Sequence, residues 1–232
     1  MEKIRGMKLF LSRIHFPVTT LGFGARVGIW FQGCRIRCPG CVSQDTWAFG
    51  RGETTVESVC EFIVPYLPRA EGVTISGGEP FDQPTALFEL LRWLRVRFTG
   101  DILVFSGYSW EQLGPRLAGM QKDGPPRQAR GWAHGLIDLL ISDPFDAGAG
   151  QTLALRGSDN QRVHLFTPLA QARYSNLPTA RRDATPALDV VFDGDDVWLA
   201  GIPAPGDLNR LRQKLAEDGF SAGTSEAPAV LA

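Results

Sequence analysis

Apolar and polar residues alternate loosely over residues 7–14, and extended structure resumes over 26–31 after a break at Gly22-Phe23-Gly24. A helical pattern follows over residues 56–67, with Thr54 or Thr55 as its cap and Pro65 ending or kinking it. From there strands and helices take turns. Residues 72–76 form a short β-branched strand that ends in Gly77 and Gly78, and residues 84–98 form a Leu- and Arg-rich helix with a proline in its first turn. Strands are predicted at 102–106, 136–142 and 162–166, with a helix over 110–117. Strands separated by helices of this length predict a parallel sheet with crossover connections.

The pattern changes on either side of residue 166. Residues 119–131 hold glycines, two adjacent prolines and several charges and are predicted as a surface loop; residues 167–186 are predicted as a linker or surface excursion. Two apolar stretches, 188–192 and 197–200, flank Asp193-Gly194-Asp195-Asp196, a hairpin signal. A short amphipathic helix over 207–217 follows, and the Ala/Gly/Ser-rich tail from Ser221 is predicted to be disordered. The chain therefore divides into a principal α/β domain (1–166), a linker (167–187), a hairpin-and-helix extension (188–220) and a flexible tail (221–232).

Composition narrows the function. With 232 residues, 44% of them hydrophobic, the chain can build one domain with a sizeable core plus a small appendage. A net charge of −1 gives no basic footprint for nucleic acid or for an anionic membrane. No apolar run approaches the roughly 20 residues of a membrane span, and the start lacks the pattern of a secretory signal. A cytoplasmic location is expected. In that reducing compartment, three cysteines crowded into residues 34–41 bind metal more readily than they form disulfides.

Cys34, Cys38 and Cys41 are spaced Cys-x3-Cys-x2-Cys. Thiolate-rich loops suit zinc or iron–sulfur clusters. A structural zinc site needs four ligands, but Cys60 falls inside a predicted helix, and His15, His134 and His164 are scattered as ordinary surface or core histidines. Three thiolates on a four-iron cubane instead leave one iron open to a bidentate small molecule. On spacing alone, a zinc loop and a plain electron carrier remain alternatives.

The run Gly33-Cys34-Arg35-Ile36-Arg37-Cys38-Pro39-Gly40-Cys41, with Asp45-Thr46-Trp47 behind it and Gly22-Phe23-Gly24 and Arg26 ahead, resembles the radical S-adenosylmethionine superfamily. Within it, the likeness is to the activating proteins of anaerobic ribonucleotide reductase, which are glycyl radical enzyme activases. Ser76-Gly77-Gly78-Glu79-Pro80, the stretch from Phe105 to Glu111 and the stretch from Leu155 to Arg162 resemble that family's segments in the same order, so the likeness covers residues 7–166. It implies an incomplete (β/α) barrel. It also implies a [4Fe–4S] cluster on the three cysteines, with S-adenosylmethionine on the open iron and residues 77–80 at its amino group. An external flavodoxin or ferredoxin would supply the electron, giving a 5′-deoxyadenosyl radical that takes hydrogen from a glycine of a partner enzyme.

The residues carry plainer readings as well. Gly77 and Gly78 at a strand end allow close backbone approach, while Glu79 can accept from a cationic amine or simply sit exposed in a βα turn. Ser106 can reach a ribose or cap the next helix. Arg156, Asn160 and Gln161 can bind adenosine, a carboxylate or a partner protein, or form a solvated turn. Trp47 can shield the cluster or anchor the core. All these motifs fall at strand carboxyl ends, the ligand edge of open α/β sheets and barrels. One departure stands out: Ser142 and Asp143 occupy the positions of the family's Asp-Gly. Beyond residue 167 nothing matches, so modification of another peptide or small molecule, with the extension as its recognition module, is a second expectation. A non-catalytic metal or electron-transfer module is a third.

Overall fold

The computed structural model describes residues 4–119, 133–182, 188–193 and 196–219. β1 (Lys8–Val18) runs antiparallel to β2 (Arg26–Phe31), and a short β3 (Glu53–Thr55), absent from the sequence expectations, pairs with the other edge of β1. α1 (Val56–Ile63) starts where the Thr55 hydroxyl accepts from the Ser58 amide at 3.1 Å, and it ends just short of Pro65. β4 (Gly72–Gly77), α2 (Pro84–Arg97), β5 (Asp101–Phe105), α3 (Trp110–Gly119), the single turn α4 (Ala133–Leu136) and β6 (Leu139–Ser142) continue the alternation. After β7 (Arg162–Leu165) come α5 (Pro168–Tyr174), the hairpin β8 (Leu188–Asp193) and β9 (Asp196–Gly201), and α6 (Asp207–Glu217).

Seven strands form one sheet in the order β3-β1-β2-β4-β5-β6-β7, and β8 with β9 forms a second. β2, β4, β5 and β6 are parallel, but both flanks are antiparallel, so the expected parallel sheet is a mixed one. Every residue of β2 and β6 is buried, as befits central strands covered on both faces. One face packs Val27, Ile29, Val73, Ile75 and Val104 against Leu87, Leu90, Leu91 and Leu94 of α2 and Val59 and Ile63 of α1. Each such side chain contributes about 1.5–3 kcal/mol on burial. The other face is covered by Tyr174 and Leu177 over Leu103 and Leu139, and by Ala200 and Trp198 over Trp30, Val18 and Leu21.

One strand boundary differs from the sequence expectation. Residue 136 closes α4, and the strand begins only at Leu139. The Asp138 carboxylate sets that boundary by accepting from the Ile102 amide (2.7 Å) and pairing with Arg95. The stretch 167–187, expected as a linker or excursion, holds α5, whose cap is the Thr167 hydroxyl accepting from the Ala170 amide at 3.2 Å. Burial of Ala170 and Tyr174 makes it part of the packed body. The expected loop, apart from Gly119, lies outside the described residues, as do Gly194, Asp195 and the tail from Ser221.

At the amino edge of the parallel strands, Arg26 and Asp101 are both fully buried and meet at 2.6 Å. Arg26 also donates to the Thr74 hydroxyl (2.6 Å) and the Tyr174 hydroxyl (3.1 Å). Such saturation is what a buried ion pair requires to offset desolvation. Among the described residues, no helix is long and apolar enough to cross a membrane.

Candidate functional site

The opposite, carboxyl edge is where the predicted motifs gather. β2 and β4 end in register at Phe31 and Gly77. The Gly78 amide then donates to the Phe31 carbonyl and the Glu79 amide to the Gly33 carbonyl, both at 2.8 Å. The cysteine loop is closed at its base by Gly33 N–H to the Thr46 carbonyl (2.7 Å) and Cys34 N–H to the Trp47 carbonyl (3.2 Å). A Cβ on residue 78 would fall 2.2 Å from the Gly33 oxygen, and Gly77 has φ +107° with the Phe31 oxygen 2.4 Å from where a Cβ would sit. The glycine pair is therefore dictated by contact between backbones. Asp82 ties the loop from the other side, accepting from the Arg35 amide (2.9 Å) and the Tyr108 hydroxyl (2.6 Å).

Cys34, Cys38 and Cys41 line one cavity of about 430 Å3 together with Gly77, Gly78, Glu79 and Ser106. That size is ordinary for a small-molecule site. Burial pushes all three thiols up from their usual range. The indole N–H of Trp47 acts on Cys41, favouring its thiolate, and the nitrogen is otherwise buried with no conventional hydrogen-bond partner among the described residues. Cys60 is elsewhere, buried in α1 within the main core, its thiol pushed up to about 12 by burial. Among the described residues, no three His, Cys, Asp or Glu side chains converge as a single-ion shell would require.

Glu79 is fully buried, and burial pushes its carboxyl up to about 7. The amides of Phe81 (2.9 Å) and Gly107 (2.8 Å) and the Ser106 hydroxyl (2.9 and 3.0 Å) work against that shift. The Ser106 hydroxyl thus serves Glu79 and accepts from the Tyr108 amide at 3.1 Å. Pro80 is buried and opens a short 3-10 turn outside the cavity lining.

The segment from Arg156 to Arg162 divides. Gly157 and Gln161 line the cavity, whereas Arg156 and Asn160 do not. Asn160 donates to the Pro144 carbonyl (2.8 Å), Gln161 donates to the Asp143 carbonyl (3.0 Å), and the Asp146 amide donates to Ser158 (3.0 Å). The turn therefore braces residues 143–146, of which Phe145 and Asp146 form a cavity wall. Arg156 points its Nη2 to the carbonyls of Leu177 (2.5 Å) and Pro178 (2.9 Å).

Sequence reasoning missed the last wall. Trp198, Ile202, Pro205 and Leu208, from β9, the loop after it and the start of α6, line the same cavity as the cysteines. Trp198 packs edge-on against Trp30 (5.4 Å) and His15 (4.9 Å). No local pattern announces this, because the partners lie far apart in sequence. Asp82 was closer to hand, two residues beyond the Gly-Gly-Glu-Pro run.

The donor set suits a multi-iron cluster: three thiols face one cavity, a buried N–H stands against one of them, and a glycine cradle lies alongside. With no fourth protein donor among the described residues, one coordination position is left to a ligand, which is the arrangement of the radical S-adenosylmethionine class. The chain belongs to the family described as 4Fe-4S single cluster domain, which matches residues 20–164. It is 26% identical over 147 residues to the anaerobic ribonucleoside-triphosphate reductase-activating protein of Enterobacteria phage T4, covering 61% of this chain and 85% of that protein. It is 32% identical over 111 residues to the pyruvate formate-lyase-activating enzyme of Clostridium pasteurianum (44% and 46% covered). The namesake from Staphylococcus epidermidis is 40% identical over 96 residues (39% and 38%). The chain thus spans less than half the length of these two enzymes. Its cofactors are a [4Fe–4S] cluster and S-adenosylmethionine.

Proposed function

We propose that this protein activates a glycyl radical enzyme. The observation that carries the reading is the convergence of Cys34, Cys38 and Cys41 with Gly77, Gly78, Glu79 and Ser106 on one cavity. Bound there, the cluster and S-adenosylmethionine would supply reductive cleavage of a sulfonium and, through it, radical abstraction of hydrogen from glycine. The protein's share is to hold and orient. Cys34, Cys38 and Cys41 hold the cluster, and Trp47 steadies Cys41. Gly77, Gly78 and Glu79 receive the methionine amino group, with Pro80 stiffening the exit. Ser106 orients Glu79, while Arg156 and Asn160 act at one remove by bracing the walls. The seven-stranded sheet is read as an incomplete (β/α) barrel, open enough for a partner's glycine loop. A flavodoxin- or ferredoxin-type donor supplies the electron.

A second reading has its own support. The extension beyond the family match, from Trp198 to Leu208, lines the cavity, and such a wall suits recognition of a different peptide or small molecule. Anaerobic reconstitution with dithionite, S-adenosylmethionine and the glycyl radical enzyme of the same cell separates the two. Activation gives 5′-deoxyadenosine and a glycyl radical signal by electron paramagnetic resonance, both abolished in Cys38→Ala. Nucleoside without a glycyl radical favours the second reading. No nucleoside from cluster-loaded protein ends both.

A further inference from the structure

A second cavity of about 480 Å3 adjoins the first, with Ile202 lining both. Among the described residues its charged lining consists of Arg156, Arg173, Arg181 and Arg182, with no Asp or Glu. Buried cations are ordinarily paired, yet among the described residues only Arg173 of the four is in an ion pair, with Glu71 at 3.0 Å and Asp101 at 3.1 Å, and the buried Arg156 is not. The other three donate to neutral oxygens: Arg156 to the Leu177 and Pro178 carbonyls, Arg181 to the Thr152 hydroxyl and Arg182 to the Ile202 carbonyl. Such oxygens satisfy N–H groups without balancing charge.

Two buried donors remain without a partner among the described residues, Arg156 Nε and Arg182 Nη1. Arg156 is only 4% exposed. The carboxylates that act on these two, Asp159 and Asp207, are not in ion-pair contact with them. Asp159 is occupied by the Thr152 and Leu153 amides, and Asp207 by Arg210 and the Ala204 amide.

We propose that this cavity binds a phosphate-bearing small molecule. Guanidinium forks match phosphate oxygens bidentately, and three guanidinium groups with no ion-pair contact among the described residues suit a multiply charged phosphate group better than a carboxylate. The assignment gives Arg156, the head of the Arg-Gly-Ser segment, a ligand outside the cluster cavity and goes beyond activation of a partner.

The test is calorimetric titration of the full chain with pyrophosphate, and with malonate as the carboxylate probe. Wild type is expected to bind pyrophosphate saturably at a single site and malonate at least about tenfold more weakly. Arg182→Gln is expected to weaken pyrophosphate binding by about tenfold, the loss of one charge-assisted contact. Because Arg182 also holds the Ile202 carbonyl, Arg181→Gln, at an exposed position, serves as the second variant, with the same expected loss. Cluster-free Cys38→Ala is expected to bind pyrophosphate as wild type does, whatever becomes of the activase reading. The proposal is overturned by the absence of saturable binding, by unchanged affinity in Arg181→Gln, by malonate binding as tightly, or by loss of binding in Cys38→Ala.

Discussion

Glu79 is buried beside three hydrogen-bond donors but forms no salt bridge among the described residues, so its charge is held by dipoles alone. Its carboxyl titrates near 7 in the folded protein against an ordinary 4.5. Between those values the folded state holds a proton that the unfolded chain has released, so stability falls as pH rises through that window, by up to about 3 kcal/mol. In metal-free protein, urea unfolding at pH 5 and pH 7.5 is expected to show this loss in wild type and a much flatter response in Glu79→Gln. Equal pH responses would remove Glu79 as the source. Asp143 shows a different balance. It adopts φ +85° where the family resemblance places glycine. Burial alone would raise its carboxyl, but hydrogen bonds from Arg162 (2.8 Å) and Ser142 (2.8 Å) hold it below the usual range. A pinned side chain thus occupies a position that backbone geometry assigns to glycine.

At the level of elements, the hairpin of β8 and β9 is held by apolar packing on Trp30, by the Thr20 hydroxyl donating to the Ala200 carbonyl (3.0 Å) and by one carboxylate. Asp189 accepts from the amide and hydroxyl of Thr19, both at 2.7 Å, and from the amide (3.2 Å) and hydroxyl (2.9 Å) of Thr20. Asp189→Asn removes the charge that strengthens these bonds and is expected to cost about 1–3 kcal/mol of hairpin docking. Amide hydrogen exchange reads this directly: protection in β9 should fall about tenfold or more while β4 and β5 are unchanged. Unaltered protection in β9 would show that apolar packing on Trp30 suffices. The hairpin itself was legible, since Asp193-Gly194 between two apolar runs is a local signal. Its docking site was not, because Thr19 and Thr20 lie about 170 positions away. The central strands were legible for the converse reason, as β-branched runs punctuated by glycine. α5 was hidden by its polar, alanine-containing composition, although Thr167-Pro168 is a cap followed by a first-turn proline. The cysteines and glycines were readable as chemistry, but the bracing role of the 157–162 turn depends on contacts that only the fold creates.

Across the molecule, the cysteine loop is held by backbone bonds to strand ends while the main core lies beneath the sheet and includes none of the three cysteines. Removing iron with a chelator is therefore expected to leave the far-ultraviolet circular dichroism and the cooperative thermal transition in place, with a drop in Tm of a few degrees from lost ligand stabilisation. Collapse of the transition would mean that the cluster organises the fold, as zinc does in small fingers. The wall formed by Trp198, Ile202 and Leu208 has a consequence of another kind. It meets the cavity from a part of the chain outside the family match, and Asp189 fastens it to Thr19 and Thr20, away from the cysteine loop and the glycine pair. Trp198 also rests on Trp30 of β2, so within this wall Ile202 and Leu208 are the positions to vary while the strand that leads to the thiols keeps its packing. An engineer seeking a new substrate would begin with those two side chains.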